Sequence, residues 1–253
     1  MDHASAYQAD RTLRGKIRRR LVRLAATRPL ANGPERAMVS FSFDDAPQTA
    51  VVSGAQALET RGARGTYFVS AGLCGAEAPM GVCGRADDYQ RLSQAGHEIA
   101  CHTYSHLDCG RADSGEAFAD VERNAMVMSG WGVPAPKTFA YPYGDVAVGP
   151  KAALGGRFSV LRALHHGLIE AGCDLNQAPA VGIEGPDGEI LANRWIDLAV
   201  SRSAWLILYT HDVRTAPSVW GCAQDVLARL IDRAQDSGAD VVTVGEGARR
   251  LGL

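Results

Sequence analysis

Eight apolar or β-branched runs, at residues 37–43, 65–70, 97–102, 137–141, 157–162, 179–183, 205–210 and 240–244, limit the fold more than any other feature of this chain. Segments of helical periodicity at 49–61, 85–95, 115–129 and 221–237 lie between them. Strands that alternate with helices pair in parallel through right-handed crossovers. Seven or eight such units predict an α/β fold, a distorted (β/α)7–8 barrel over residues 33–253. A basic arm at 1–32 precedes it, ending at the turn Asn32-Gly33-Pro34. The stretch 163–204 reads as poorer in helix and richer in Gly, Pro and Asn, so imperfect closure is expected there. A doubly wound open sheet is the competing architecture. With 253 residues, 46% of them apolar, the chain is long enough to bury one large core.

Four polar motifs stand at the ends of expected strands, which is where parallel α/β barrels gather reactive groups. Asp44 and Asp45 close the first in Ser42-Phe43-Asp44-Asp45, and His102 ends the third in His102-Thr103-Tyr104-Ser105-His106. Tyr141-Pro142-Tyr143-Gly144 follows the fourth and His211-Asp212 the seventh. Each alone has an ordinary reading: an Asp pair as a helix cap, histidines as satisfied core residues, Pro and Gly as turn formers. Together they suit hydrolysis. A catalytic zinc-type centre takes three protein ligands and leaves a position for water, and Asp45, His102 and His106 can supply the three. Asp44 beside them can then serve as general base. A two-histidine, one-carboxylate set also suits non-haem iron, but the second aspartate and the distant His211 fit hydrolysis better.

Charge narrows the partners. The chain has 26 basic and 28 acidic residues, which argues against a general nucleic-acid binder. Residues 1–30 nevertheless hold eight Lys/Arg and two Asp, a net of +6, leaving −8 on the remainder. Within residues 11–24, Leu13, Ile17, Leu21 and Leu24 recur at helical spacing beneath arginines. That pattern fits a helix resting on an anionic membrane surface, or a solvated arm packed on the acidic body and interrupted by Gly15. No apolar run reaches signal-peptide or membrane-spanning length, so the expected location is cytoplasmic, with peripheral attachment to the inner membrane face as the membrane reading. The six cysteines form no CxxC pair and read as ordinary thiols, Cys74 and Cys83 being the pair that an oxidising compartment could bridge.

From about residue 37 to 245 the chain resembles the polysaccharide deacetylase superfamily, the metal-dependent NodB-homology group of carbohydrate esterases. The resemblance rests on Ser42-Phe43-Asp44-Asp45, Gly96 to His106, Phe139-Ala140-Tyr141-Pro142-Tyr143-Gly144 and Leu206 to Asp212. It implies a distorted barrel that removes acetyl groups, N-acetyl above all, from a sugar or glycan, with one divalent ion, zinc first. Asp44 becomes the base, Asp45, His102 and His106 the metal ligands, and His211 the acid. The Tyr143 backbone N–H becomes an oxyanion donor. Two features depart from the pattern: Ala140 stands where many members carry a base-orienting arginine, with Arg162 and Arg194 as candidate substitutes, and Asp197 and Trp195 do not match the fourth motif's spacing. Amide or imide hydrolysis of a small non-sugar substrate and a weakly active carbohydrate-binding relative are the alternatives. His97 is expected to be structural.

Overall fold

The computed structural model describes residues 13–253, apart from the side chains at 13, 14 and 16–19. Residues 11 and 12 of the expected amphipathic segment lie outside the described residues. Helix α1 (Leu13–Leu24) leads to β1 (Met38–Asp44), a π-helical turn at Ala50–Gly54 running into α2 (Ala55–Glu59), and β2 (Thr66–Val69). A short hairpin follows, β3 (Glu77–Ala78) and β4 (Gly81–Val82), then α3 (Ala86–Gln94), β5 (Glu98–Cys101), α4 (Ser114–Gly130) and β6 (Thr138–Ala140). The second half runs through α5 (Val148–Leu154), β7 (Val160–Arg162), β8 (Val181–Gly182), α6 (Gly188–Arg202) and β9 (Trp205–Thr210). It ends with α7 (Gln224–Asp236), β10 (Asp240–Val241) and α8 (Val244–Arg250).

Among the described residues, the main sheet is parallel throughout and ordered β7-β6-β5-β2-β1-β9-β8, with β10 beside the first half of β1. The sheet curls until its edges meet. Arg162 and Ala178 form a parallel bridge, Ala178 N donates to Leu161 O at 2.8 Å, and Ala163 N donates to Ala178 O at 2.8 Å. Three residues on, that same segment becomes β8. The result is a single-domain distorted barrel, not an open doubly wound sheet, and its seam at residues 163–180 is the place where closure was expected to be poorest.

The two-residue period of a strand sorts side chains between the barrel interior and the helix layer. In β1, Val39, Phe41 and Phe43 pack outward with Tyr67, Leu206 and Leu208 beneath the helices. Removing one such ring would cost about 3–5 kcal/mol. Met38 faces inward with Phe68, Ala100, Ala140, Val160, Ile207 and Tyr209. Ser40 and Ser42 share that inward row and are satisfied there: Trp205 Nε1 donates to Ser40 Oγ at 2.9 Å, and Ser42 Oγ donates to Leu208 O at 2.9 Å. Val244 and Ala248 of α8 join the same inner cluster and close the N-terminal end of the barrel.

The eight expected strands all form, but 163–204 is not poor in helix: α6 occupies 15 of those residues. Its buried face is Gly188, Ala192, Ile196 and Ala199, mostly small residues, so the apolar periodicity that marks a helix is faint. The seven-residue α5 and α8 were likewise too short to register as periodic. Part of the expected arm belongs to the body. Val22 and Leu30 are buried, Lys151 Nζ donates to Val22 O at 2.8 Å, and Arg28 Nη2 donates to Phe158 O at 2.8 Å.

Candidate active site

The inward rows decide which side chains meet. In β1 the row Met38-Ser40-Ser42 ends at Asp44, in β5 Ala100 is followed by His102, in β7 Val160 is followed by Arg162, and in β9 Tyr209 is followed by His211. Asp44 and Arg162 are the last inward positions of their strands and His102 and His211 stand one residue beyond theirs, so all four side chains point into the C-terminal mouth of the barrel. Asp45 then follows Asp44 into the loop.

Asp45, His102 and His106 come together as a ligand set, with one donor atom from each lying within 4.8 Å of the others. Asp45 Oδ1 stands 3.5 Å from His106 Nε2 and 3.9 Å from His102 Nε2. A tetrahedral ion with bonds of about 2.1 Å sets its ligands roughly 3.4 Å apart, so the spacing fits. Asp45 Oδ1 is buried with no hydrogen-bond partner, a costly arrangement for protein alone and the expected one for a metal ligand. The Nδ1–H of His102 is directed at Ala140 O, 2.7 Å away, which leaves Nε2 with its lone pair toward the centre. Burial above all pushes the His102 pKa down to about 4, so the imidazole is neutral and ready to ligate.

His106 reaches the site from a loop rather than from a helix turn. Asp120 of α4 accepts Tyr104 N at 2.7 Å, Ser105 N at 3.0 Å and Ser105 Oγ at 3.0 Å, while Thr103 Oγ1 accepts Leu107 N at 2.8 Å. These bonds hold an unfavourable backbone. Asp45, Ala46, Thr103, His106 and Tyr143 have φ of 56°, 41°, 61°, 56° and 60°, so five of the seven described non-glycine residues with positive φ cluster here. Left-handed backbone costs about 1–3 kcal/mol per residue and persists at sites whose surroundings over-determine it.

Asp44 and His211, the candidate base and acid, each have a partner of opposite charge, Arg162 and Glu184. Arg162, fully buried on β7, crosses the barrel interior to pair its Nη2 with Asp44 Oδ1, and its guanidinium lies 5.0 Å from the Phe68 ring centroid and 5.3 Å from that of Tyr209. Burial alone would raise the Asp44 carboxyl, but Arg162 foremost among neighbouring charges holds it below its ordinary value. Arg162 stands in register with Ala140 on the adjoining strand, so the arginine missing from position 140 is replaced one strand over, at the same level of the barrel. Arg194, the other candidate, is exposed on α6 and takes no part. His211 Nδ1 lies 3.0 Å from Glu184 Oε1 and 3.2 Å from Trp220 O. Burial lowers the His211 pKa, but the Glu184 hydrogen bond together with the charges of Asp44 and Asp45 outweighs it and carries it up to about 9. The imidazolium is therefore the form present at neutral pH.

Glu184 escaped the sequence reading because it follows β8 in the stretch taken as irregular; its signal was a lone acid just past the run 179–183. Asp197 and Trp195 are elsewhere. Asp197 pairs with Arg233 on the surface between α6 and α7, and Trp195 sits beside His166 with ring centroids 6.1 Å apart. Asp212, adjacent to His211, is wholly buried and accepts Ser218 N at 2.9 Å and Ser218 Oγ at 2.5 Å, bracing the loop whose Trp220 carbonyl faces His211. The Tyr143 ring meets His106 edge-on at 4.5 Å between centroids. Its turn depends on Gly144, where a Cβ would come within 2.4 Å of Leu164. His97 is structural: Nδ1 accepts Gly65 N at 3.0 Å and Nε2 lies 3.1 Å from Glu59 Oε1. All six cysteines, Cys74 and Cys83 included, are free thiols.

Residues 31–153 match the family model for polysaccharide deacetylase. A chitin deacetylase of Colletotrichum lindemuthianum is 26% identical over 96% of this chain and 91% of its own length. The solved structure of the chitin deacetylase from that fungus superposes with a TM-score of 0.64 at 22% identity, covering 88% of this chain and 92% of that one. A family 4 acetyl xylan esterase from Clostridium thermocellum, solved with a cobalt ion, superposes with a TM-score of 0.57 at 18% identity, covering 83% and 89%. The barrel, the strand-end motifs and these relatives agree in making the chain similar to the polysaccharide deacetylase family.

Proposed function

We propose that this chain is a metal-dependent deacetylase that hydrolyses N-acetyl groups on an amino-sugar glycan, with zinc held by Asp45, His102 and His106. The observation that carries the reading is the division of labour at one mouth of the barrel. A carboxylate ion-paired through one oxygen stands next to a three-ligand set and a protonated imidazole, which is what amide hydrolysis requires of a base, a centre and an acid. An ion bound there would polarise the acetyl carbonyl and acidify a water.

The chain's own residues do the rest. Arg162 holds Asp44 Oδ1, so Oδ2 takes the proton of the attacking water. The backbone N–H of Tyr143, set by its left-handed turn, donates to the developing oxyanion. His211, gripped at Nδ1 by Glu184, presents Nε2–H to the leaving nitrogen and stays charged until it gives the proton up. The similarity to chitin deacetylase supports an N-acetylglucosamine polymer over an O-acetylated xylan. Acetate release from N-acetylated chitooligosaccharides, from acetylated xylan and from a small cyclic imide, with metal content measured in parallel, tests this. Turnover of the imide alone, or none without altered metal content, would overturn it.

A further inference from the structure

Helix α1 turns the wrong face outward for a helix that exists only to pack on the body. Among its described positions the buried ones are Gly15 and Val22, seven positions apart and so on one side of the helix. Val22 is buried in one apolar cluster with Tyr141, Val146, Leu154 and Leu161, and Lys151 Nζ donates to its carbonyl. Leu21 and Leu24, three positions apart, are 57% and 76% exposed, and Arg20 and Arg23 beside them are exposed too. Gly15 faces the protein while Leu21 and Leu24 face away, the reverse of what a solvated amphipathic helix does with such residues.

We propose that this face of α1 docks on an anionic lipid bilayer. The leucines enter the headgroup boundary while the arginines meet lipid phosphates, the division seen in interfacial helices. The charge of residues 1–30, net +6, favours that occupant over a second copy of the helix, since two copies would set like-charged rows against each other. The anchorage is rigid as well as adhesive: beyond Val22, Asn176 Nδ2 donates to Ala26 O at 2.9 Å and Arg28 N to Asp174 Oδ1 at 2.8 Å. Tyr141 and Val146, which share the cluster of Val22, bracket the turn that carries Tyr143, so the helix is anchored to the same packed unit that supports one side of the barrel mouth. If the deacetylase reading holds, an acetylated glycan carried at that surface would meet the cleft without the enzyme leaving the bilayer; the docking itself does not depend on that reading.

Co-sedimentation measures the docking without turnover. The full chain should pellet with vesicles of mixed phosphatidylglycerol and phosphatidylcholine, not with phosphatidylcholine alone, and less as salt is raised. Leu21→Ser with Leu24→Ser should lower partition about tenfold or more. Arg20→Gln and Arg23→Gln should each lower it about fivefold, the factor equivalent to roughly 1 kcal/mol per basic residue at an anionic surface. Both pairs are exposed, so circular dichroism and acetate release from a soluble substrate should match the parent. Equal soluble fractions for parent and variants would overturn the proposal. So would a concentration-dependent dimer, seen by light scattering, that the leucine variant dissolves while vesicles bind neither.

Discussion

At the N-terminal end of the barrel Glu98 accepts from Thr66 Oγ1 at 2.8 Å, Thr138 Oγ1 at 2.5 Å and Gly245 N at 2.7 Å, whereas at the C-terminal end Asp45 Oδ1 is buried with no partner. Both carboxylates lie at the ends of β-strands in one barrel. Glu98 is saturated by its own fold and ties β2, β5, β6 and α8 together. Asp45 is left short of donors, on a left-handed residue, beside His102 and His106. Burial of an acid therefore does not mark function here. An unmet valence held in place at conformational cost does.

The sharpest way to break the contrast is Asp45→Ala, which should abolish bound metal and cost more turnover than loss of a single acid–base group. Metal analysis of the purified variant checks it, and retained stoichiometric metal would remove Asp45 from the ligand set. Asp44→Asn and His211→Ala should keep the metal and lose about 10²–10⁴-fold in turnover. Metal loss in either would mean that the two aspartates, or the histidines, have been given each other's work.

Arg162→Ala should cost less, about 10–100-fold, because Arg162 positions a reacting group without touching the substrate. Adding Ala140→Arg to that variant should restore part of the loss, since the two positions are in register on neighbouring strands; no recovery would mean that the guanidinium is needed from β7 specifically. Glu184→Gln should act through pH. His211 is carried up to about 9 with Glu184 hydrogen-bonded to it, so removing the carboxylate lowers that value. The active, protonated acid is present below its pKa and lost above it, and the alkaline limb of the turnover profile should therefore move to lower pH. An unmoved limb would assign it to another group.

The smallest effect on turnover is expected at the other end. Glu98→Ala leaves three donors unmet and should cost about 1–3 kcal/mol of stability with activity per folded molecule unchanged. Burial pushes the Glu98 carboxyl up, so the folded state binds its proton more tightly than the unfolded one. Its contribution to stability falls as pH rises from the unfolded toward the folded pKa, and Glu98→Gln should flatten that decline in a denaturant titration.

Much of this site is local chemistry. The apolar runs and the two-residue strand period place Asp44, His102 and His211 at inward strand ends, and Asp45 and His106 follow within the adjoining loops; short-range rules suffice because each position depends only on its own strand and turn. The supports were not legible in the same way. Asp120 reaches the His106 loop from a helix 14 residues on, counting from His106 to Asp120. Glu184 lay in a stretch whose helix is hidden by small buried residues.

Arg162 shows the dividing line most clearly. In the sheet order, β6, β5 and β2 stand between β7 and β1, and on the other side Ala178, β8 and β9 do. Nothing along the backbone ladder brings Arg162 near Asp44. Their contact exists because the sheet closes and both rows face inward, so the pair meets across the interior where Ala140 leaves room. The sequence by itself determined the alternation of strands and helices and which side chains, Asp44, Asp45, His102, His106 and His211, stand at or just beyond the strand ends. Only the closed barrel decided which buried charges hold them, because a side chain's reach across a core depends on curvature that no local pattern encodes.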